Sequence, residues 1–228
     1  MRFVPLLPSS FDPAPWRDLA PLMVRWDGPL HGGWASALRR GLPIHAVVLP
    51  GGEPVAEGLE VLQQGLRPDF LVIPVDVPAS REAGFRRLGQ LETLLEATTS
   101  RGLKVALRLT AEAVAPVLEL LRSARGEAVG FCWHPGLPDA EPLADRLWCA
   151  DCEAGSDLRP LQLLGYRWDM GLPAPDPETY CAWAVALDAA HPAVLFPAEM
   201  PATALGRPVV PDDSLVFGKH WDRDGASS

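Results

Sequence analysis

The chain has 228 residues, enough for one sizeable α/β domain or two small ones, and with 48% hydrophobic residues it can bury a large core. A formal net charge of −9 with scattered arginines excludes the basic stripe that a binder of phosphate backbones needs, so no nucleic-acid partner is expected. No charged start leads into an apolar run and no apolar stretch reaches the roughly 18 residues of a membrane span, so no membrane role and a cytoplasmic location are expected.

Residues 2–7 read as a first strand with an imperfect start at Pro5. Asp12-Pro13 then caps a short helix that carries Trp16 and Leu19. Residues 22–27 form the second strand, and Gly32-Gly33 precedes another short helix with Trp34, Ala37 and Leu38 on one side. The third strand spans 43–50. Val55, Leu59, Leu62 and Leu66 then recur at helical spacing. Residues 69–76 give the fourth strand, followed by the longest helix, with Phe85, Leu88, Leu91 and Leu95 inward and Gly102 at its end.

The fifth strand is 104–109, and Pro116 marks the first turn of the next helix, whose buried side holds Val117, Leu118 and Leu121. Strands six and seven are 129–134 and 147–152, with a short helical piece after Pro142 between them. One or two helical turns fit 157–164, and the Gly- and Pro-rich segment 165–175 reads as an ordered loop. Asp176-Pro177-Glu178 opens the last helix, with Tyr180, Trp183, Ala184 and Leu187 on its core face, and 193–199 is the eighth strand.

Short apolar runs alternating with helices indicate a parallel sheet, and eight of them fit a compact, somewhat irregular (β/α)8 TIM barrel, whose usual size is about 250 residues. One barrel domain over 1–211 and a C-terminal extension or tail over 212–228 are expected. An open doubly wound sheet competes, but no glycine-rich nucleotide fingerprint follows any strand. Cys132, Cys149, Cys152 and Cys181 lie in apolar runs and read as reduced core thiols. The Cys149/Cys152 pair does not read as a zinc site, since a strand sends residues three apart to opposite faces.

In a parallel barrel, substrates bind where the carboxyl ends of the strands ring one mouth, which selects Asp27, Asp76, Arg108, His134, Asp151, Glu153 and Glu199. Asp27 and Glu153 read first as caps. His134, between Trp133 and Pro135-Gly136, suits a general base, a carbonyl partner or a metal ligand, and equally a buried histidine bonded to backbone. Arg108, embedded among apolar neighbours, needs an anion: Asp76, or a bound acid or phosphate. His31, His45, His191 and His220 read as solvent-titrating, at loops or helix ends. Trp26, Trp133 and Trp148 read as core, with stacking on a sugar ring as the sharper alternative.

The helix over 80–101 running through Gly102-Leu103 into Lys104-Val-Ala-Leu, the strand Val129-Gly-Phe-Cys-Trp-His-Pro-Gly and the segment from Gly165 to Phe196 together resemble the xylose isomerase-like TIM-barrel superfamily of sugar-phosphate isomerases and epimerases. The resemblance implies a divalent metal held at strand ends, but the corresponding positions carry Arg108 for Glu, His134 for Asp, Leu137 for His, Cys149 for His and Phe196 for Glu. A cation and a phenyl ring cannot replace carboxylate ligands, so loss of the metal site and no cofactor are expected.

The function expected is binding of a small polar molecule, a sugar or sugar acid, with a metal-independent isomerase or epimerase step as its natural chemistry. His134 with Glu199 or Asp151 would be the acid and base, and Arg108, Asp76 and Trp133 the binding residues. A non-catalytic scaffold or partner-binding barrel is the alternative. A metalloenzyme rearranged around His134, Cys149, Asp151 and Glu199 is a further one.

Overall fold

The computed structural model describes residues 1–51, 54–77, 80–99, 102–123, 129–137, 139–166 and 169–191. Eight parallel strands close into one ring in sequence order: β1 Arg2–Pro8, β2 Leu22–Arg25, β3 Ile44–Val48, β4 Pro68–Val75, β5 Lys104–Leu109, β6 Val129–Trp133, β7 Leu147–Asp151 and β8 Asp169–Leu172. Among the described residues the α-helices are α1 Gly33–Arg39, α2 Pro54–Gln63, α3 Arg81–Thr99, α4 Val114–Ser123, α5 Arg159–Leu163 and α6 Pro177–Ala190. Short 3-10 helices at Ala14–Leu19 and Glu141–Arg146 occupy two of the crossovers, and α5 has only five residues, so the barrel is compact and irregular as expected. Among the described residues no helix is long and apolar enough to cross a membrane.

The described residues all fall within one compact unit, Met1–His191, so the expected limits at 211 and 212 lie outside them.

The closing strand is a correction to the sequence reading. The ring is sealed by Asp169–Leu172, inside the segment read as a loop, and this strand pairs with β1 on one side and β7 on the other. The segment 193–199, taken as the eighth strand, lies outside the described residues. β8 escaped the pattern because it has four residues and its inward positions are Asp169 and Gly171, which carry no apolar signal. Gly171 fits closely there: a Cβ would stand 2.8 Å from the Met23 sulfur, and the Met23 side chain would have to shift to admit it.

Alternation along the strands builds two cores. Val4, Leu6, Met23, Ala46, Val48, Val72, Ala106, Cys132 and Cys149 fill the barrel interior. Leu7, Val24, Val47, Leu71, Leu107, Phe131, Trp133 and Met170 belong to the larger core, which also holds helix residues such as Leu94, Val117 and Leu187. Large and small residues interlock inside the ring. A Cβ on Gly130 would lie 2.0 Å from the Trp148 indole, so β6 gives up a side chain to admit that ring.

In α3, Leu94 is fully buried while Leu91 and Leu95 are partly so; Phe85 and Leu88 lie outside the residues whose side chains are described. The Asp176 carboxylate caps α6 as expected, accepting from the Thr179 amide at 2.8 Å.

Candidate functional site at the barrel mouth

The parity that sends Met23, Ala106 and Cys132 inward carries Arg25, Arg108 and His134 to the rim of the same interior. β7 contributes Asp151. Arg108 Nε stands 3.2 Å from Asp151 Oδ2, an ion pair in which the guanidinium side chain is 32% exposed and the carboxylate 7%. The approach is not aligned as a hydrogen bond, and buried Arg108 Nε and Asp151 Oδ1 have no hydrogen-bond partner. Burial pushes the Asp151 carboxyl above its ordinary range, and the charges of Arg108, then His134 and Arg25, pull back without cancelling it. The sequence placed Arg108 beside Asp76 or a bound anion. Its ion-pair partner is Asp151, and Asp76 is exposed beyond the end of β4.

His134 is held by the backbone at both ring nitrogens. Nε2 lies 2.8 Å from the Leu109 carbonyl and must donate to it; Nδ1 accepts from the Gly136 amide at 3.1 Å. The ring therefore ties the ends of β5 and β6 together, the backbone-partnered alternative left open above. Trp133 is 1% exposed and belongs to the larger core, its indole N–H bonded to the Leu137 carbonyl at 2.9 Å. Its burial separates it from the mouth, as it does for Trp26. Glu199 and Phe196 lie outside the described residues.

Beside this group a cavity of about 560 Å³ opens against β1, β2 and the segments after β7 and β8. Leu6, Phe11, Pro173 and Trp183 give it apolar walls, and Arg25 and Glu153 give it charge. Arg108, His134 and Asp151 do not line it; Arg25 links the two places, since it faces the cavity and its field reaches Asp151. Arg25 was missed because Asp27 drew attention to the strand end, although an arginine between Val24 and Trp26 carries the same signal as Arg108 in its own apolar run. Trp183, read as core, is half-buried and on the cavity wall.

Asp27 acts as a cap, though for a loop. It accepts from the Ser10 amide at 3.1 Å and the Ser10 hydroxyl at 2.7 Å, and Ser9 also donates to it. Burial tends to lift this carboxyl, and those donors more than offset it, leaving it below its ordinary value. Glu153 departs from its expected capping role: it is exposed at the cavity wall, and its backbone, not its carboxylate, bonds the following turn through Ser156.

His45 is a second correction. It lies on β3 with its side chain 14% exposed, its Nδ1 3.3 Å from Asp69 and 3.5 Å from Asp169, and its ring edge-on to Phe70. Arg2 pairs with Asp169 through both guanidinium nitrogens, so this cluster closes the opposite, amino-terminal end of the barrel. Cys132, Cys149 and Cys152 are buried free thiols, whereas Cys181 is exposed on α6, contrary to the reading as core. Contact with Cys149, and then burial, hold the Cys132 thiol well above its ordinary range.

No family model matches the chain, and no curated protein matches it. Solved structures do. A xylose isomerase domain protein from Planctomyces limnophilus superposes with a TM-score of 0.59 at 12% identity, over 83% of this chain and 94% of that one. The TTHB071 protein from Thermus thermophilus, in a structure soaked with ZnCl2, gives a TM-score of 0.58 at 19% identity, over 83% of this chain and 99% of that one. The fold is a closed (β/α)8 barrel similar to those two structures.

The divalent metal that the family resemblance implies does not suit the described residues of this barrel. Arg108 occupies one expected ligand position, both His134 nitrogens are engaged by backbone, Cys149 is buried against Cys132, and Asp151 is paired with Arg108. Among the described residues no three His, Cys, Asp or Glu side chains converge closely enough to hold an ion.

Proposed function

We propose that this barrel binds a small polar, carbohydrate-like molecule in the cavity at its carboxyl-end mouth. The observation that carries the reading is the cavity itself, about 560 Å³ with apolar walls and two separated charges, at the end of the fold where barrels of this class take their substrates. That volume lies within the range of small-molecule sites and admits a single sugar with room to spare. Asp151 and Arg108 lie beside it and set the local field. The full chain, screened by thermal shift against neutral sugars and sugar acids, is expected to gain about 5 to 10 °C at a hundredfold excess over Kd. Gly155→Trp, which places an indole in the cavity, is expected to remove that gain. No shift across the panel at millimolar concentrations refutes the reading.

A second reading adds catalysis, and the orphan Oδ1 of Asp151 favours it. A buried carboxyl with raised proton affinity, beside a guanidinium that stabilises its ionised form, suits proton exchange at a carbon next to a carbonyl, the step of an isomerase or epimerase, and the reading requires a ligand that reaches past Arg25 to this carboxyl, which is not on the cavity wall. In D2O, incorporation of solvent deuterium into a bound sugar, lost in Asp151→Asn, tests it. A barrel that binds sugars without incorporating deuterium is a binding protein, and the catalytic reading then falls.

A further inference from the structure

We propose that the ligand of the mouth is a polyhydroxy carboxylate, a sugar acid whose carboxylate docks on Arg25 and whose hydroxyls donate to Glu153. This rests on the binding reading above and selects one ligand class within it. Arg25 and Glu153 line one cavity from the ends of β2 and β7, yet they do not approach within 4.0 Å of each other, and neither forms an ion pair with any other described residue. The other guanidinium of the mouth differs in this respect, since Arg108 already faces Asp151 at 3.2 Å. The spare positive charge of the site is therefore on Arg25.

A guanidinium presents donors in a planar fork that matches a carboxylate bidentately, and a neutral sugar offers it no comparable acceptor. A carboxylate such as Glu153 only accepts, so its complement is a donor, and the hydroxyls of a polyol supply several. Leu6, Phe11, Pro173 and Trp183 leave apolar surface for the C–H faces of the carbon chain, with the indole as the broadest wall. Charge balance separates a carboxylate from a phosphate. One negative charge is what Arg25 alone can neutralise, whereas a phosphate monoester near neutrality carries between one and two and would stand beside the Glu153 carboxylate and the field of Asp151.

Calorimetric titration of the full chain with a set of aldonates and uronates, each beside the neutral aldose and the sugar phosphate of the same skeleton, tests the assignment. The acid is expected to bind about 10-fold to 100-fold more tightly than its aldose, the gain of charged hydrogen bonds to one carboxylate, and to weaken as salt rises. Arg25→Gln is expected to bring the acid down to the level of the aldose. Arg25 is exposed, so an unfolding midpoint within a degree or two of the parent is the check that this variant folds. An aldose that binds as well as its acid, or an Arg25→Gln variant that keeps the preference, overturns the sugar-acid assignment and leaves the binding reading standing. A phosphate that binds more tightly than the carboxylate overturns it in favour of a phosphorylated ligand. Failure of every probe overturns both.

Discussion

Replacing Arg108 with methionine keeps much of the stem's packing and removes the nearest counter-charge of Asp151. At 3.2 Å and an effective dielectric near 20, the attraction lost is about 5 kcal/mol. The Arg108 side chain is 32% exposed, so screening reduces that figure, and about 2 to 3 kcal/mol is the expected loss when Asp151 is ionised. The carboxyl has an escape in taking up a proton. Its affinity for one is already raised by burial, and Arg108 is the strongest influence pulling it back. The variant's Asp151 therefore keeps its proton to still higher pH. A carboxyl whose folded value is raised binds more protons folded than unfolded. Its contribution is fully present below the unfolded value and declines as pH rises to the folded one, by at most about 1.4 kcal/mol per pH unit. The variant extends that decline upward, so its deficit should be small at pH 5 and largest at pH 8. Urea unfolding at the two pH values measures it. With a slope of about 2 to 3 kcal/mol/M, the midpoint should fall by roughly 1 M at pH 8 and by less than half of that at pH 5. Combining Arg108→Met with Asp151→Asn should recover most of the loss, because no buried charge then remains unpaired. An equal deficit at both pH values, or a double variant no better than the single one, refutes the electrostatic account.

Three further outcomes follow from the same contacts. Gly130→Ala sets a methyl group 2.0 Å from the Trp148 ring and is expected to cost about 2 to 3 kcal/mol in thermal or urea unfolding, with partial rescue by Trp148→Leu. His134→Ala leaves the Leu109 carbonyl and the Gly136 amide without their ring partner and should cost about 1 to 3 kcal/mol by urea unfolding; a neutral result would release His134 for a chemical role. Asp176→Ala removes the cap on α6 and should cost about 1 kcal/mol, visible as a lower midpoint in thermal unfolding.

Seven of the eight strands were legible because each is an apolar run ended by polar or turn residues, and in Lys104–Leu109 and Leu147–Asp151 the expected and observed spans nearly coincide. β8 was not, because a barrel interior filled by Met23 and Leu6 asks its last strand for a glycine, and a glycine followed closely by two prolines reads as a turn. The site was half legible for a related reason. Strand-end position brought forward Arg108 and Asp151, and the two meet. It could not tell inward from outward at an irregular strand end, so Trp133 was assigned to the mouth while Arg25 was passed over. His45 escaped the pattern because the alternation breaks at it: Ile44 packs in the outer core and Ala46 in the interior, with a register shift against β2 between them, and an apolar run gives no sign of that.

The two ends of the barrel carry similar polar residues and differ in how far these satisfy one another. At the amino-terminal end Arg2 locks Asp169, His45 Nδ1 sits between Asp69 and Asp169 while its buried Nε2 lacks a hydrogen-bond partner, and the Lys104 ammonium lies 5.7 Å from the centres of both the Phe70 and Trp148 rings, so the charges there, though not every polar atom, are paired. Charges paired at short range and covered by aromatic rings stabilise the fold and leave little to offer a ligand. At the carboxyl end one pair, Arg108 with Asp151, meets without a proper hydrogen bond, and Arg25 and Glu153 face a cavity with no ion-pair partner among the described residues. Of these groups only the buried Arg108 and Asp151 atoms carry a desolvation cost; Arg25 and Glu153 are exposed, and their unpaired charges are open to a ligand that binds only the folded chain and so stabilises it. The asymmetry, rather than the presence of charge at either end, is what favours the carboxyl end as the proposed binding end of this barrel.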